Sequence, residues 1–357
     1  MAKEQKRVII APLAWGLGHA TRCIPVVREL LKLNCAVWAV LTPPQKALYE
    51  PEFGSKINYI PLDEPLIDYE QSFLLAMVRQ LPKFSAQMRR ESSLAEWLTN
   101  KLQPDLIISD NRYGFRSAQV RSVIITHQLQ LRAGLLSSPV NAFVQTFLKR
   151  FDAVWVPDAE NQPNFSGRLS HGKKIFKNLL YPGPLSRMHA VSPRTEIKYD
   201  WIALLSGPEP QRTNFENLVV DAAEKLNLKI AIVAGQPEDG ESPEITGSIT
   251  RFPHLRDAAL IKVIGESSGI VCRSGYSTLC DLAAIHRKAL LVPTPGQTEQ
   301  IYLAKHFAHA FGFPAVRQRN RKGFREALKH SEACKENFEV EMVNHWKGVL
   351  KEALGAK

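Results

Sequence analysis

Residues 272–300, CRSGYSTLCDLAAIHRKALLVPTPGQTEQ, constrain the fold more than any other stretch. The apolar run Gly269-Ile270-Val271-Cys272 stops at Arg-Ser-Gly, apolar residues then recur at Leu279, Leu282, Ala283 and Ile285, and a second apolar run, Ala289 to Val292, ends at Pro293. A short apolar run, a helical period and another short run read as strand, helix, strand. At the first junction stand one arginine, one glycine and several hydroxyls, where the helix begins. Helix N-termini carry unsatisfied N–H groups and the positive end of the dipole, so this junction suits a phosphate. Asp281 and Glu299 follow. An anion holder succeeded by carboxylates suits a nucleotide sugar, which carries a diphosphate between two sets of hydroxyls.

The same alternation recurs along the chain. Strands are expected at Arg7–Leu13, Ala36–Leu41, Ile57–Pro61, Asp105–Ser109, Val123–Thr126 and Ala153–Val156, and again at Trp201–Leu205 and Lys229–Val233. Helices are expected over 21–33, over 66–103 with a break at Pro82, over 214–226, and as one amphipathic helix over 335–354. The pair Pro43-Pro44 reads as the stop of the second strand. Strand–helix alternation predicts parallel sheets covered on both faces. With 357 residues the chain is long for one core, and Tyr181–Tyr199, with three prolines and few apolar residues, reads as a linker. The expected organisation is an α/β chain of two doubly wound units: residues 1–185, a linker over 186–199, a second unit over 200–334, and a final helix over 335–357.

Composition narrows the function classes. The five cysteines are dispersed, with no CxxC pair, which argues against a disulfide framework and against zinc and points to a reducing, cytoplasmic setting. The net charge of +11 admits nucleic acid, anionic lipid or phosphate-bearing substrates. The basic residues are scattered, Arg89-Arg90 and Lys173-Lys174 being only pairs, and no aromatic-rich basic module accompanies them, so nucleic acid is not the expected partner. The basic, apolar N-terminus imitates a signal peptide but reads better as a first strand ending in a glycine loop. No apolar run reaches the ~20 residues of a membrane span. Ala133–Leu148, sixteen residues without a charge beside Arg132 and Lys149-Arg150, raises peripheral docking on an anionic membrane as against a buried helix.

Several residues at strand ends carry chemistry. His19, in Trp15-Gly16-Leu17-Gly18-His19, follows the first strand, and Gly18 lets a ligand approach the backbone. An imidazole with an ordinary pKa near ~6.5 can take a proton from a hydroxyl at neutral pH. Asp110 ends another strand and either orients His19 or caps the turn Asn111–Gly114. Arg112 and Tyr113 offer acceptor contacts, and His127 is a rival base. Ser206, Gly207 and Arg212, in SGPEPQR, form a loop from which Arg212 could reach a diphosphate, or a plain solvent turn. A dinucleotide fingerprint is not met, because Thr21 takes the third glycine position and no acid ends the second strand. No D-x-D triplet exists to chelate a metal against a diphosphate, so no metal and no cofactor beyond the co-substrate is expected.

On these residues the chain resembles inverting, UDP-sugar-dependent glycosyltransferases of the GT-B fold. It is most similar to family 28, which includes the N-acetylglucosamine transferase of peptidoglycan synthesis, and it also resembles plant and animal UDP-glycosyltransferases. The resemblance implies two Rossmann-like domains facing a cleft, with a C-terminal helix crossing back. It places Arg273, Ser274, Gly275, Ser277 and Thr278 on the donor diphosphate, Asp281 on the ribose, and Glu299 with Gln300 on the donor sugar. Many UDP-glycosyltransferases carry His where Arg273 stands, and Asp281 is shorter than their usual Glu. The resemblance further implies metal-independent transfer from a UDP-sugar to a sugar, lipid-linked or small-molecule acceptor, with His19 and Asp110 as a base dyad, and places Arg251–Leu255 near the uracil. A nucleotide-sugar hydrolase with a GxGHxxR loop, of the pseudaminic acid pathway type, and a non-catalytic sugar- or nucleic-acid-binding protein are the rival readings.

Overall fold

The computed structural model describes residues 5–14, 17–62, 73–130, 137–172, 176–188, 196–240, 242–330 and 332–355. The chain divides into two units, residues 1–185 with 343–357, and residues 186–342.

The first unit is built on strands β1 (Arg7–Pro12), β2 (Ala36–Leu41), β3 (Asn58–Pro61), β4 (Leu106–Asp110), β5 (Ser122–Ile125), β6 (Ala153–Trp155) and β7 (Leu179–Leu180). They form one parallel sheet in the order β3-β2-β1-β4-β5-β6-β7. Its helices are α1 (Gly18–Lys32), α2 (Pro43–Phe53), α3 (Phe73–Leu102) and α4 (Ser137–Leu148). Strand β1 is buried on both faces after Arg7, as a strand covered on two sides must be. Because β2 and β4 flank β1, the sheet changes direction there, which leaves a crevice at the strands' carboxyl ends. The register sets Pro12 beside Asp110, so the loop after β1 and the last residue of β4 meet at that crevice.

Two local expectations are corrected. Pro43-Pro44 starts α2 rather than ending the second strand alone: proline is tolerated in a first helical turn, where its missing N–H costs no bond. The Gln45 side chain accepts from Thr42 N–H at 3.1 Å and donates to the Leu13 carbonyl at 2.9 Å, tying this start to the end of β1. Helix α3 runs past Pro82 without a break. The uncharged stretch after Arg132 is helix α4 from Ser137 onward, with Val144 and Leu148 buried against β5 and β6; residues 133–136, like Trp15, Gly16 and Lys173-Lys174, lie outside the described residues.

The second unit carries β8 (Tyr199–Leu204), α5 (Gln211–Leu226), β9 (Ile230–Val233), β10 (Glu244–Thr246), β11 (Ile249–Phe252), α6 (Asp257–Gly265), β12 (Ser267–Cys272), α7 (Tyr276–Ala284), β13 (Leu290–Leu291), α8 (Thr298–Phe311) and α9 (Arg321–His330). The sheet order is β10-β11-β9-β8-β12-β13, parallel except for β10. Here β8 is the reversal point, and Leu204 pairs with Cys272. The strand–helix–strand read from 272–300 is β12-α7-β13.

The final helix is shorter than the pattern predicts. Only α10 (Trp346–Ala353) is helical, preceded by a 3₁₀ turn at Glu332–Lys335. The reason is that residues 335–354 serve both units. Phe338 packs edge-on to Phe311 and Phe313 in the second, whereas Trp346, Leu350 and Ala353 join the core of the first. The return to the first unit is fixed by Trp346 Nε1 donating to the Gly183 carbonyl at 2.9 Å and by an edge-on contact of Trp346 with Trp155. Gly183 has φ +104°, and a Cβ there would fall 1.8 Å from the Val343 carbonyl oxygen, so only glycine fits that approach.

Candidate functional site

At the crevice of the first unit four side chains form one network. Helix α1 starts at Gly18, so His19 sits in its first turn and Arg22, three residues on, lies on the same side. His19 Nδ1 is 2.7 Å from Asp110 Oδ1. The carboxylate only accepts, so the imidazole nitrogen donates. Arg22 donates to both oxygens of Asp110, through Nε to Oδ2 and through one terminal nitrogen to Oδ1. Its other terminal nitrogen lies 2.8 Å from His127 Nδ1. Asp110 is fully buried, Arg22 is 3% and His127 4% exposed, whereas the His19 side chain keeps 16% exposure. Cys23 adds a thiol contact to Asp110 Oδ2 at 3.2 Å. The structure brings together His19, its expected partner Asp110 and, through Arg22, the rival base His127.

The electrostatics follow from this packing. Burial alone would raise the Asp110 carboxyl, but the adjacent Arg22 charge, and then His19, hold it well below the usual carboxylate range. Burial, and next the Arg22 charge, lower His19 below the ordinary imidazole value against the opposing pull of Asp110. His19 is thus neutral near pH 7, with its proton on Nδ1 and a lone pair on Nε2. This arrangement can accept a proton and then stabilise the imidazolium.

Arg22 was not singled out from the sequence; the signal was the spacing His19-x-x-Arg22 on a helix that starts at a strand end. Arg112 moves the other way. It is 1% exposed, with Nε donating to the Pro12 carbonyl at 2.9 Å and a terminal nitrogen to Glu91 at 3.1 Å. It braces the loop after β4 and is not available to an acceptor. Tyr113, half-buried, packs against the cluster around β5 and β6.

The second unit's site lies where β8 and β12 end. The hydrogen-bond ladder of α7 begins at Leu279 N–H to the Gly275 carbonyl, 3.0 Å, so the first turn, Tyr276–Thr278, points its N–H groups toward the strand ends. Gly275 is the N-cap, and Ser277 and Thr278 are half-buried in that turn. Ser206 and Gly207 are exposed after β8, and Gly207, at φ +100°, has open space around it. Ser274, fully buried, donates to the Gln300 carbonyl at 2.8 Å, while the Gln300 side chain accepts from Thr294 N–H at 2.9 Å and donates to Gln297. Gln300 therefore locks the loop before α8, and Glu299, in the first turn of α8, is half-buried as Gln300 is. Asp281 accepts from the Ser186 hydroxyl at 2.5 Å, and burial pushes its carboxyl up to about 6. Arg251, in the stretch expected near a base, bonds Glu216 and Gln236 instead.

Both arginines expected to hold the diphosphate are engaged elsewhere. Arg212 pairs with Glu209 and Glu216. Arg273 is 1% exposed and donates to the carbonyls of Val292 (3.1 Å) and Gln211 (2.7 Å) and to the side-chain oxygen of Gln318 (2.7 Å), with its guanidinium 4.2 Å from the centre of the Phe215 ring. The side chain turns inward because the end of β12 is walled by α5 and by the strand end at Val292. Burial lowers its pKa to about 10, so it stays charged at neutral pH. Among the described residues its partners are all neutral, and none of them compensates its charge beside the start of α7. Among the described residues no group of three His, Cys, Asp or Glu side chains could hold a metal ion, and no helix is long and apolar enough to cross a membrane.

Comparison with known proteins agrees with this layout. Residues 214–345 match the C-terminal domain of glycosyltransferase family 28. No curated protein matches the sequence. Among solved structures, Arabidopsis thaliana UGT89C1 complexed with quercetin aligns with TM-score 0.62 at 11% identity, over 93% of this chain and 92% of that one. The calicheamicin glycosyltransferase CalG4 aligns with TM-score 0.60 at 12% identity, over 99% and 94%. Acinetobacter baumannii MurG aligns with TM-score 0.51 at 15% identity, over 99% and 96%. At these identities the likeness is one of fold: the chain has the two Rossmann-like units of the GT-B glycosyltransferases, and its second unit resembles that of family 28.

Proposed function

We propose that this chain is an inverting, metal-independent glycosyltransferase that moves a sugar from a UDP-sugar to an acceptor hydroxyl, with His19 as general base. The glycosyltransferase class is supported by the family 28 match over 214–345 and by the shared fold. UDP as the nucleotide is supported by the kinship of fold with UGT89C1, which has been solved with UDP-L-rhamnose. The observation that carries the chemistry is the 2.7 Å contact of His19 Nδ1 with the fully buried Asp110, which leaves Nε2 with a lone pair.

In this reading the acceptor hydroxyl gives its proton to His19 Nε2 as its oxygen bonds the anomeric carbon. The bond from that carbon to the UDP oxygen breaks on the opposite face, and UDP leaves with the electron pair. Asp110 stabilises the imidazolium. The start of α7, backed by the buried Arg273 charge, takes the diphosphate, and Asp281 exchanges the Ser186 hydroxyl for a ribose hydroxyl. Donor positioning and charge stabilisation then require no metal.

Turnover by His19→Ala tests this. A general base contributes about 10²–10⁴-fold, and the variant is expected to lose that much of the transfer rate with an acceptor present. Wild-type-like transfer by His19→Ala rejects the assignment. UDP-sugar loss that is independent of any acceptor would turn the reading to a hydrolase.

A further inference from the structure

We propose that Arg22 is a positioning residue that sets the two histidines of the first unit in opposite tautomers, so that His19 is the proton acceptor and His127 an N–H donor. What the rings do in a reaction rests on the transferase reading; the tautomers themselves rest on distances. A guanidinium has five N–H groups and no lone pair. One terminal nitrogen of Arg22 lies 2.8 Å from His127 Nδ1, so that ring nitrogen must accept. The proton of a neutral His127 is then on Nε2.

At His19 the order is reversed. Asp110 accepts only, and the 2.7 Å contact makes Nδ1 the donor. The other terminal nitrogen of Arg22 is 2.9 Å from the same Nδ1, but its contact with Asp110 Oδ1 is the shorter one. The lone pair of His19 is therefore on Nε2. A single side chain, held by both oxygens of one buried carboxylate, thus imposes donor character on one ring and leaves acceptor character on the other. The spacing of three residues between His19 and Arg22 on α1 makes this possible, because both project from one side of the helix toward β4. His127, the rival base on sequence grounds, is excluded because its accepting nitrogen is already occupied by an arginine that cannot give up its proton.

The groups facing His19 are Arg22 on its own helix, Asp110 from β4 and His127 from the loop after β5; the Cys23 thiol touches the same carboxylate. Removing the positive charge of Arg22 raises the basicity of His19. A base must be unprotonated to act, so the acid limb of the kcat/KM profile then moves to higher pH, by about 1 unit.

The test is a long-range ¹H–¹⁵N correlation spectrum of the full chain labelled at histidine, near pH 7.5, with the two rings assigned through His19→Gln and His127→Gln. His19 is expected to show a protonated Nδ1 and a pyridine-like Nε2, and His127 the reverse. Arg22→Lys, which keeps the charge but cannot span both rings, should release His127 into mixed tautomers while the acid limb stays in place; Arg22→Gln should shift that limb upward. Two rings in the same tautomer, or a His127 signal unmoved by Arg22→Lys, would overturn the proposal. The wild-type spectrum decides even where a variant fails to fold. Opposite tautomers in a chain that transfers no sugar would uphold the inference and reject the transferase reading instead.

Discussion

Each unit buries an arginine where its sheet changes direction, Arg22 in the first and Arg273 in the second, and these two are treated oppositely. Arg22 is neutralised by a carboxylate that grips it through both oxygens and is shared with His19. Arg273 is equally enclosed, but two carbonyls, an amide oxygen and an aromatic face hold it, with no carboxylate in contact among the described residues. A cation paired with a carboxylate organises the groups it touches, here His19 and His127, which suits proton transfer. An uncompensated cation behind a helix N-terminus adds to the dipole there, which suits an anion. The difference teaches that a buried arginine's role is read from its acceptors rather than from its burial.

The comparison can be broken most strongly by stability. Arg22→Ala removes the counter-charge of the buried Asp110, and removing one partner of such a pair costs about 3–5 kcal/mol. Arg273→Met orphans only neutral acceptors and should cost about 1–3 kcal/mol. Urea unfolding of the two variants measures this; equal losses would mean that Asp110 is not the counter-charge that distinguishes the sites.

The fold was largely legible because buried parallel strands are near-continuous apolar runs, and β1, β2, β4 and β12 are each of this kind. Less legible were the elements whose signals serve two purposes. Pro43-Pro44 both ends a strand and opens α2, and residues 335–354 are shared between units. In the site, His19 and Asp110 were visible because chemistry gathers at strand ends. Arg22 was not, because an arginine in an apolar helical pattern reads as a surface residue. Arg112 and Arg273 misled for the converse reason: a strand-end arginine looks outward-facing in sequence, yet each turns back to satisfy buried carbonyls.

A smaller effect concerns Asp281. Its folded pKa of about 6 stands above the ordinary value of 3.8. The folded state therefore binds the extra proton between those values, and stability falls as pH rises through that window. Asp281→Asn removes this loss, so above about pH 6 it should be more stable than the wild type by about 1–2 kcal/mol, with the gain gone below about pH 4. Thermal melts across pH 4–8 read it; a gain that is the same at both ends would remove burial as the cause. The smallest effect expected is that of chelation. If the start of α7 and Arg273 neutralise the diphosphate, excess EDTA leaves turnover unchanged, whereas loss restored by Mn²⁺ or Mg²⁺ would assign that charge to a metal.

The division of labour itself is tested most directly by calorimetric titration of UDP into the wild type, His19→Ala and Arg273→Met. The account predicts wild-type affinity for His19→Ala and about ten- to a hundredfold weaker binding for folded Arg273→Met, the scale of losing one favourable charge at an anion site. Unchanged affinity in Arg273→Met, or a matching loss in His19→Ala, would contradict it.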